Sequence, residues 1–348
     1  MKKNTAYFIV AAIIVAIVVG VFLENQNGAS KQKSLTIVSF GGAYQAAQRK
    51  AYMEPYSQQS GTQIVEGEYN GEYGVISQRS TSTKGSWDVV SVESAPALRG
   101  QQEGIFAPIP KRVYDGLPII DAARRTSAAG HLLFSTILGY RMDLKEKPTS
   151  WKDFWDLEHY PGKRGLRNNP RGTLEIALVA DGISPNDLYP LDVERALSKL
   201  DTIREDIVFW ESGAQPIQLL ANEAVVMTSV YNGRIWDAKV NEKLPFGWIL
   251  SGGLLEVEYW VVPKNSDNKE KAFDFIRFSL QSGAQAEFAN IIAYIPTNSS
   301  AMSAVSADIK MAMPDTQASG DQVIVNAQWW SANQEKVSAR WEAWLVNK

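Results

Sequence analysis

From Leu35 onward, apolar runs of strand length take turns with segments of helical period, and that alternation restricts the chain more than any single motif. "LTIVS" precedes a predicted helix over 44–59, "TQIVEGEY" one over 71–81, and "WDVVSVES" one over 95–102. A second series begins near Ser135. There the loop-rich "DLEHYPGKRGLRNNPRG" leads into helices over 173–180 and 192–203, the strand "VVMTSV", a helix over 232–242 and the strand "LLEVEYWVVP". The amphipathic "NKEKAFDFIRFSLQ" follows, with Ala272, Phe273, Phe275, Ile276 and Leu280 on its apolar face. Such alternation predicts parallel α/β sheets with crossover helices. Ligands on these sheets sit at the carboxyl ends of strands, which gathers the turns at 39–42, 69–71 and 93–94 along one edge. A chain of 348 residues exceeds one ordinary core and suits two domains.

Ahead of that body, Lys2 and Lys3 precede an uncharged, mostly apolar stretch over 6–23. It is long enough to span a bilayer, and no clean small-x-small cleavage site follows, because Asn27 stands at the minus-three position before Ala29. The expectation is an export segment, with removal or retention as an anchor left open. The polar flanks argue against a buried core helix, and the positive-inside tendency keeps Lys2 and Lys3 cytoplasmic, so the body faces the periplasm. Only 25–34 reads as a flexible tether; no internal repeat or low-complexity tract is visible. Setting aside Lys2, Lys3, Lys31, Lys33 and Glu24 leaves 31 basic and 37 acidic residues, a balance of -6 for the body. That gives nucleic-acid binding no support and leans towards a cationic ligand.

The residues offer binding groups more readily than catalytic ones. With no cysteine there is no disulfide, thiolate metal site, cysteine nucleophile or lipid-anchored cysteine. The two histidines, His131 and His159, have no second histidine at ligand spacing, so neither a metal site nor a histidine base is expected. GxSxG, HExxH, Walker and GxGxxG patterns are missing, and no cofactor is expected. In "SFGGAY", Gly41 and Gly42 form either a plain strand-to-helix turn or one that offers backbone N–H groups to a ligand. In "LLEVEYWVV", period two puts Glu256, Glu258 and Trp260 on one strand face. Burying two carboxylates without partners is costly, so this strand either faces solvent or builds a cation site. Trp329, Trp330, Trp341 and Trp344 recur at helical spacing and read as packing. Phe40, Tyr44, Trp210 and Tyr231 lie at turns or strand ends, where a ring either packs or covers an ammonium group.

Five segments in order, "TIVSFGGAYQAAQRKAYMEPY", "WDVVSVESAPALRGQQEGIFAPI", "FWESGAQPIQLLANEAVVMTSVYNGRI", "EYWVVPKNSDNKEKAFDFIRFSL" and "IPTN", make the body resemble a bacterial ABC-transporter solute-binding protein of the spermidine/putrescine-binding type. The resemblance implies a two-lobed periplasmic-binding-protein fold (type II). A leader over 1–33 precedes one lobe from 34–134 and 261–301 and a second from 135–260 and 302–348. Hinge strands would cross near 131–135 and 259–263, with another crossing near Ser300. It further implies a monomer that traps a small amine-containing solute, polyamine-like or zwitterionic, by hinge closure and delivers it to a membrane permease and its ATPase. Position by position, Glu93 and Ser94 match polar contacts of the first lobe, Tyr231 and Asn232 an aromatic–Asn pair of the second, and Glu258 an amine-binding carboxylate. Phe40, Gly41, Gly42 and Tyr44 would wall the cleft. Other positions depart from the pattern: Glu256 stands where an aromatic is expected, and Asn168 and Asn169, followed by Arg171, stand where two acids are expected. An arginine in place of acids permits a zwitterion with a carboxylate. Two rival functions use the same scaffold. A thiaminase-like transferase would need the cysteine this chain lacks, and a membrane-tethered sensing module would present its closed form to a receptor.

Overall fold

A computed structural model describes residues 34–82, 87–316 and 322–347. The apolar stretch over 6–23 lies outside these residues. Among those described, no helix is long and apolar enough to cross a membrane.

The first lobe opens with β1 (Ser34–Ser39), a long helix α1 over 42–60, and β2 (Gln63–Glu68). Then come α2 (Tyr73–Thr81), β3 (Val89–Glu93) and α3 (Ser94–Gln102). β1 pairs in parallel with both β2 and β3, as the alternation predicts. α1 is continuous but widens into a π segment at Arg49–Met53. The second lobe holds β5 (Arg164–Arg167), α5 (Pro170–Ala180), α6 (Val193–Asp201) and β6 (Ile207–Trp210), with the short α4 (Trp151–Trp155) before them. After these come α7 (Gln215–Ala221), β7 (Met227–Tyr231) and α8 (Asn232–Val240). β5 is parallel to both β6 and β7.

The expectation of purely parallel sheets fails at the centre. β4 (Ala129–Arg141) and β8 (Phe246–Val261) are long antiparallel partners that run through both lobes, giving one sheet in the order β2-β1-β3-β8-β4-β7-β5-β6. β8 pairs with β3 through 258–261, whereas β4 pairs with β7 through 136–140. The passage from one lobe to the other therefore lies near 254–257 on β8 and 132–136 on β4. β8 starts eight residues before "LLEVEYWVV", because Gly252 and Gly253 interrupt the apolar pattern without ending the strand.

The chain then returns to the first lobe with α9 (Lys269–Ser279), α10 (Ser282–Ile292) and the two-residue β9 (Ile295–Pro296) against β4. A short α11 (Ala307–Lys310) and β10 (Val323–Ile324), which lies on β8, precede the final α12 (Ala327–Val346). Two large cores result. Leu35, Tyr52, Trp260, Phe275 and Phe288 fill one, and Phe154, Leu166, Leu174, Leu200 and Trp330 the other. Trp330, Trp341 and Trp344 are buried in the second core with Trp329 beside them, the packing role their spacing predicts. α12 also reaches the first lobe through an ion pair between Arg99 and Glu335.

Candidate functional site

The crevice lies where β8 and β4 leave one lobe for the other. Its cavity is lined by Phe40, Tyr44, Glu93 and Glu258 from the first-lobe side and by Phe134, Gly213, Tyr231, Arg234 and Tyr294 around the rest. Tyr231 ends β7 and meets Phe134 edge-on at 5.4 Å; Phe40 stacks on Tyr69 at 5.1 Å. These rings give the cavity apolar walls whose faces attract cations.

The glycine turn after β1 positions two of these groups. Gly41 and Gly42 both have φ near +60°, a conformation that costs glycine little, and this lets the chain reverse from strand into α1 within two residues. Of its N–H groups, that of Gly41 is taken within the turn, donating to Gln45 Oε1 at 3.1 Å. The carbonyls of Phe40 and Gly41 each accept a 3.2 Å hydrogen bond from Arg234 Nη2, which reaches across from α8. A Cβ on Gly42 would stand 2.9 Å from Arg234 Nη1. Arg234 is buried, and among the described residues its hydrogen-bond acceptors are these carbonyls, with no carboxylate in ion-pair range.

Period two on β8 holds, and both acids point inward. Glu258 is buried; Tyr44 donates to its Oε1 at 2.5 Å and Ser91 donates to the same oxygen. Its Oε2 takes no hydrogen bond among the described residues. Burial pushes the Glu258 carboxyl up, Ser91 and Tyr44 pull it down, Glu93 and Glu256 push it up again, and the balance falls at about 7. His131 packs behind this group, 3.3 Å from Ser91 Oγ and stacked on Trp260 at 4.2 Å. Burial holds its imidazole well below the usual range, so it is neutral.

Glu256 is a different case. Its Oε1 accepts from the Ser94 amide (2.9 Å) and hydroxyl (2.7 Å) at the start of α3, and from Arg171 Nη1 at 2.5 Å. Arg171 also bonds Glu93, which takes a further ion pair from Arg167 at 2.9 Å. The start of α5 makes this reach possible. Asn169 caps the helix by accepting the Arg171 amide, and Arg171 and Gly172 are non-helical, so the Arg171 side chain turns back into the crevice. Burial works against ionisation of Glu93, but Arg167 and Arg171 outweigh it and hold its carboxyl at about 2. Glu256, with one arginine, is raised because burial wins. Both remain committed to Arg171, whose own guanidinium is held charged by Glu256 and Glu93 despite its burial.

Thus Phe40, Tyr44, Glu93, Tyr231 and Glu258 come together around one cavity, and Gly41 and Gly42 form the turn between Phe40 and Tyr44 without lining it. Glu256 and Arg171 line an adjoining cavity that shares Glu93 and Phe134 with the first. Ser94 stands behind Glu256, and Asn169 is a helix cap. Trp210 lines neither cavity; it is buried and meets Tyr231 edge-on at 5.8 Å. Asn232 is a bracket: it accepts the Ser135 amide at 3.0 Å and donates to the carbonyls of Ala293 (2.8 Å) and Ala312 (3.2 Å). Sequence reasoning missed Arg234, Arg167, Phe134 and Tyr294. Arg234 follows directly on the quoted "YNG", and its charge in an otherwise buried first turn was the available signal. No group of three or more His, Asp or Glu among the described residues is arranged to hold a metal.

Residues 51–314 match the family model described as bacterial extracellular solute-binding protein. The chain is 39% identical over 326 residues to a gamma-aminobutyric acid-binding protein of Pseudomonas aeruginosa, covering 91% of this chain and 92% of the relative. Among solved structures it resembles the binding protein AgtB from A. tumefaciens R10 in complex with agropinic acid, with TM-score 0.85, 30% identity and coverage of 90% and 99%. It also resembles a GABA receptor, with TM-score 0.81, 30% identity and coverage of 90% and 98%. The spermidine/putrescine likeness is more distant. A substrate-binding protein of that type from Streptococcus pneumoniae shares 16% identity at TM-score 0.70, which supports the fold and no solute.

Proposed function

The chain belongs to the bacterial extracellular solute-binding protein family and is the solute-binding component of an ABC importer; from that premise we propose that its solute is a short ω-amino acid of the γ-aminobutyrate class. One observation carries the reading. Of three arginines at the crevice, Arg167 and Arg171 are spent on Glu93 and Glu256, and among the described residues Arg234 alone of the three has no carboxylate partner. Of the three buried glutamates at the crevice, Glu93, Glu256 and Glu258, the last alone is free of arginine among the described residues. What is left is one guanidinium and one carboxylate on the same aromatic-walled cavity, the complement of a molecule with a carboxylate at one end and an ammonium at the other. The relative from Pseudomonas aeruginosa, named for γ-aminobutyrate, supports the same class.

In this structure Arg234 already sits against the Phe40–Gly41 turn, so closing the lobes over a solute would keep that contact, shield both charges from water and present the closed form to a permease. We further propose that the 6–23 segment holds the protein at the inner membrane after export to the periplasm; intact-mass analysis of native membranes that finds only chains beginning near residue 30 would remove the tether. The solute reading is tested by calorimetry with γ-aminobutyrate, putrescine and succinate. Binding of the first is expected, and Arg234→Gln and Glu258→Gln should each weaken it by about tenfold to a hundredfold, the value of a charge-assisted hydrogen bond. Saturable binding of succinate, with no response to γ-aminobutyrate, would refute it.

A further inference from the structure

Glu93, Glu256 and Glu258 form a row of acids suited to a molecule with more than one amine. Glu258 pairs in register with Glu93 across β8 and β3, and Glu256 lies two residues further along β8, about 7 Å by strand rise. The reach between two such carboxylates matches a short diamine. One end of the row is already filled. Arg171 is 5% exposed, and its Nη1 and Nη2 bond Glu256 and Glu93, so a buried cation of this chain stands where a second ammonium would go. The cavity that Arg171 lines adjoins the solute cavity, and Glu93 and Phe134 belong to both walls.

We propose that Arg171 is a specificity-determining residue: an internal counter-cation that turns a row of acids fit for a diamine into a site for a single ammonium. This rests on the solute reading above and deepens it. Two effects act together. The guanidinium fills the space between Glu93 and Glu256, and its charge repels any second cation brought into the same low-dielectric crevice. With Arg167, Arg171 and Arg234 present, the three acids are balanced by three bases. Without Arg171 one negative charge is left over, next to a space of side-chain size, and a buried unpaired carboxylate is costly enough to favour any cation that reaches it.

The test compares wild type with Arg171→Ala, Arg171→Gln and Arg171→Lys, titrated with γ-aminobutyrate and putrescine after folding is checked by circular dichroism. Wild type should bind γ-aminobutyrate and not putrescine. Arg171→Ala and Arg171→Gln should gain putrescine affinity by about tenfold to a hundredfold, the value of one added charge-assisted hydrogen bond. Arg171→Lys, which keeps a cation in place, should stay selective. Adding Glu256→Gln to Arg171→Ala should abolish the gain. If a variant folds poorly alone, putrescine should raise its unfolding temperature while leaving that of wild type unchanged. Folded Arg171→Ala or Arg171→Gln that takes no putrescine, or unfolded variants that putrescine does not rescue, would overturn the role of Arg171. Wild type that binds putrescine and ignores γ-aminobutyrate would instead overturn the solute reading.

Discussion

Lowering the pH from 8 to 5 should weaken the hold on an amino-acid solute, because Glu258 must be ionised to meet an ammonium. Burial lifts its carboxyl to about 7 in the solute-free protein, so near neutrality about half the sites carry a proton that binding must expel. Below that value each pH unit costs about tenfold in affinity, about 1.4 kcal/mol, until the pKa of the occupied site is reached. An adjacent cation lowers a carboxyl by about 1 to 3 units, so the loss by pH 5 is about tenfold to a hundredfold, with a plateau above pH 8. Glu93, held at about 2, does not titrate in this window, and His131 is kept neutral by burial. Glu256, raised by burial, remains tied to Arg171.

Calorimetry in two buffers of different ionisation enthalpy should register about half a proton released per solute at pH 7. Glu258→Gln should flatten the profile. Stability without solute should run in the opposite sense. The folded pKa lies above the ordinary 4.5, so this stabilising contribution is full below about 4.5 and is lost as pH rises through 7, a change of about 3 kcal/mol. Affinity that stays level from pH 5 to 8 in folded protein would refute an ammonium contact at Glu258.

Two further substitutions separate closure from stability. Gly42→Ala forces a side chain into a left-handed backbone and against Arg234, 2.9 Å away, so binding should weaken by about 1–3 kcal/mol while circular dichroism stays native. Trp341→Ala removes a buried ring of the second core that meets Trp344 at 5.0 Å. Denaturant unfolding should show a loss of about 3–5 kcal/mol, with the affinity of the remaining folded protein unchanged.

Most of the fold was legible because it is written in local period. The helices over 71–81, 95–102 and 232–242 fall within a few residues of their observed bounds, and the strand before each is where the apolar run puts it. The antiparallel crossing was not legible, since the partnership of β4 with β8 joins segments more than a hundred residues apart and leaves no mark on either alone. The same limit governs the site. Glu256 and Glu258 stood out because an acid within an apolar strand contradicts its own surroundings. Arg167 and Arg171 did not, because "LRNNPRG" is polar throughout and an arginine there looks solvated. Trp210 and Asn232 read as candidate cleft contacts, whereas Trp210 backs Tyr231 and Asn232 brackets the backbone; whether a ring faces a cavity or backs another ring is decided by neighbours from distant segments.

On the proposed reading, those unseen partners decide the class of solute. Three acids along the crevice, taken alone, describe a receptor for a polycation. Placing Arg167 and Arg171 against Glu93 and Glu256 cancels two of them, and placing Arg234 opposite Glu258 adds a positive pole to the remaining negative one. The site then complements a dipolar molecule of no net charge although every acid is still present. On the proposed reading, loss of one buried arginine would exchange an amino acid for an amine in this site, with the strands, the glycine turn and the aromatic walls untouched. A count of acids in the binding strands is informative about the solute only after each has been assigned its counter-ion.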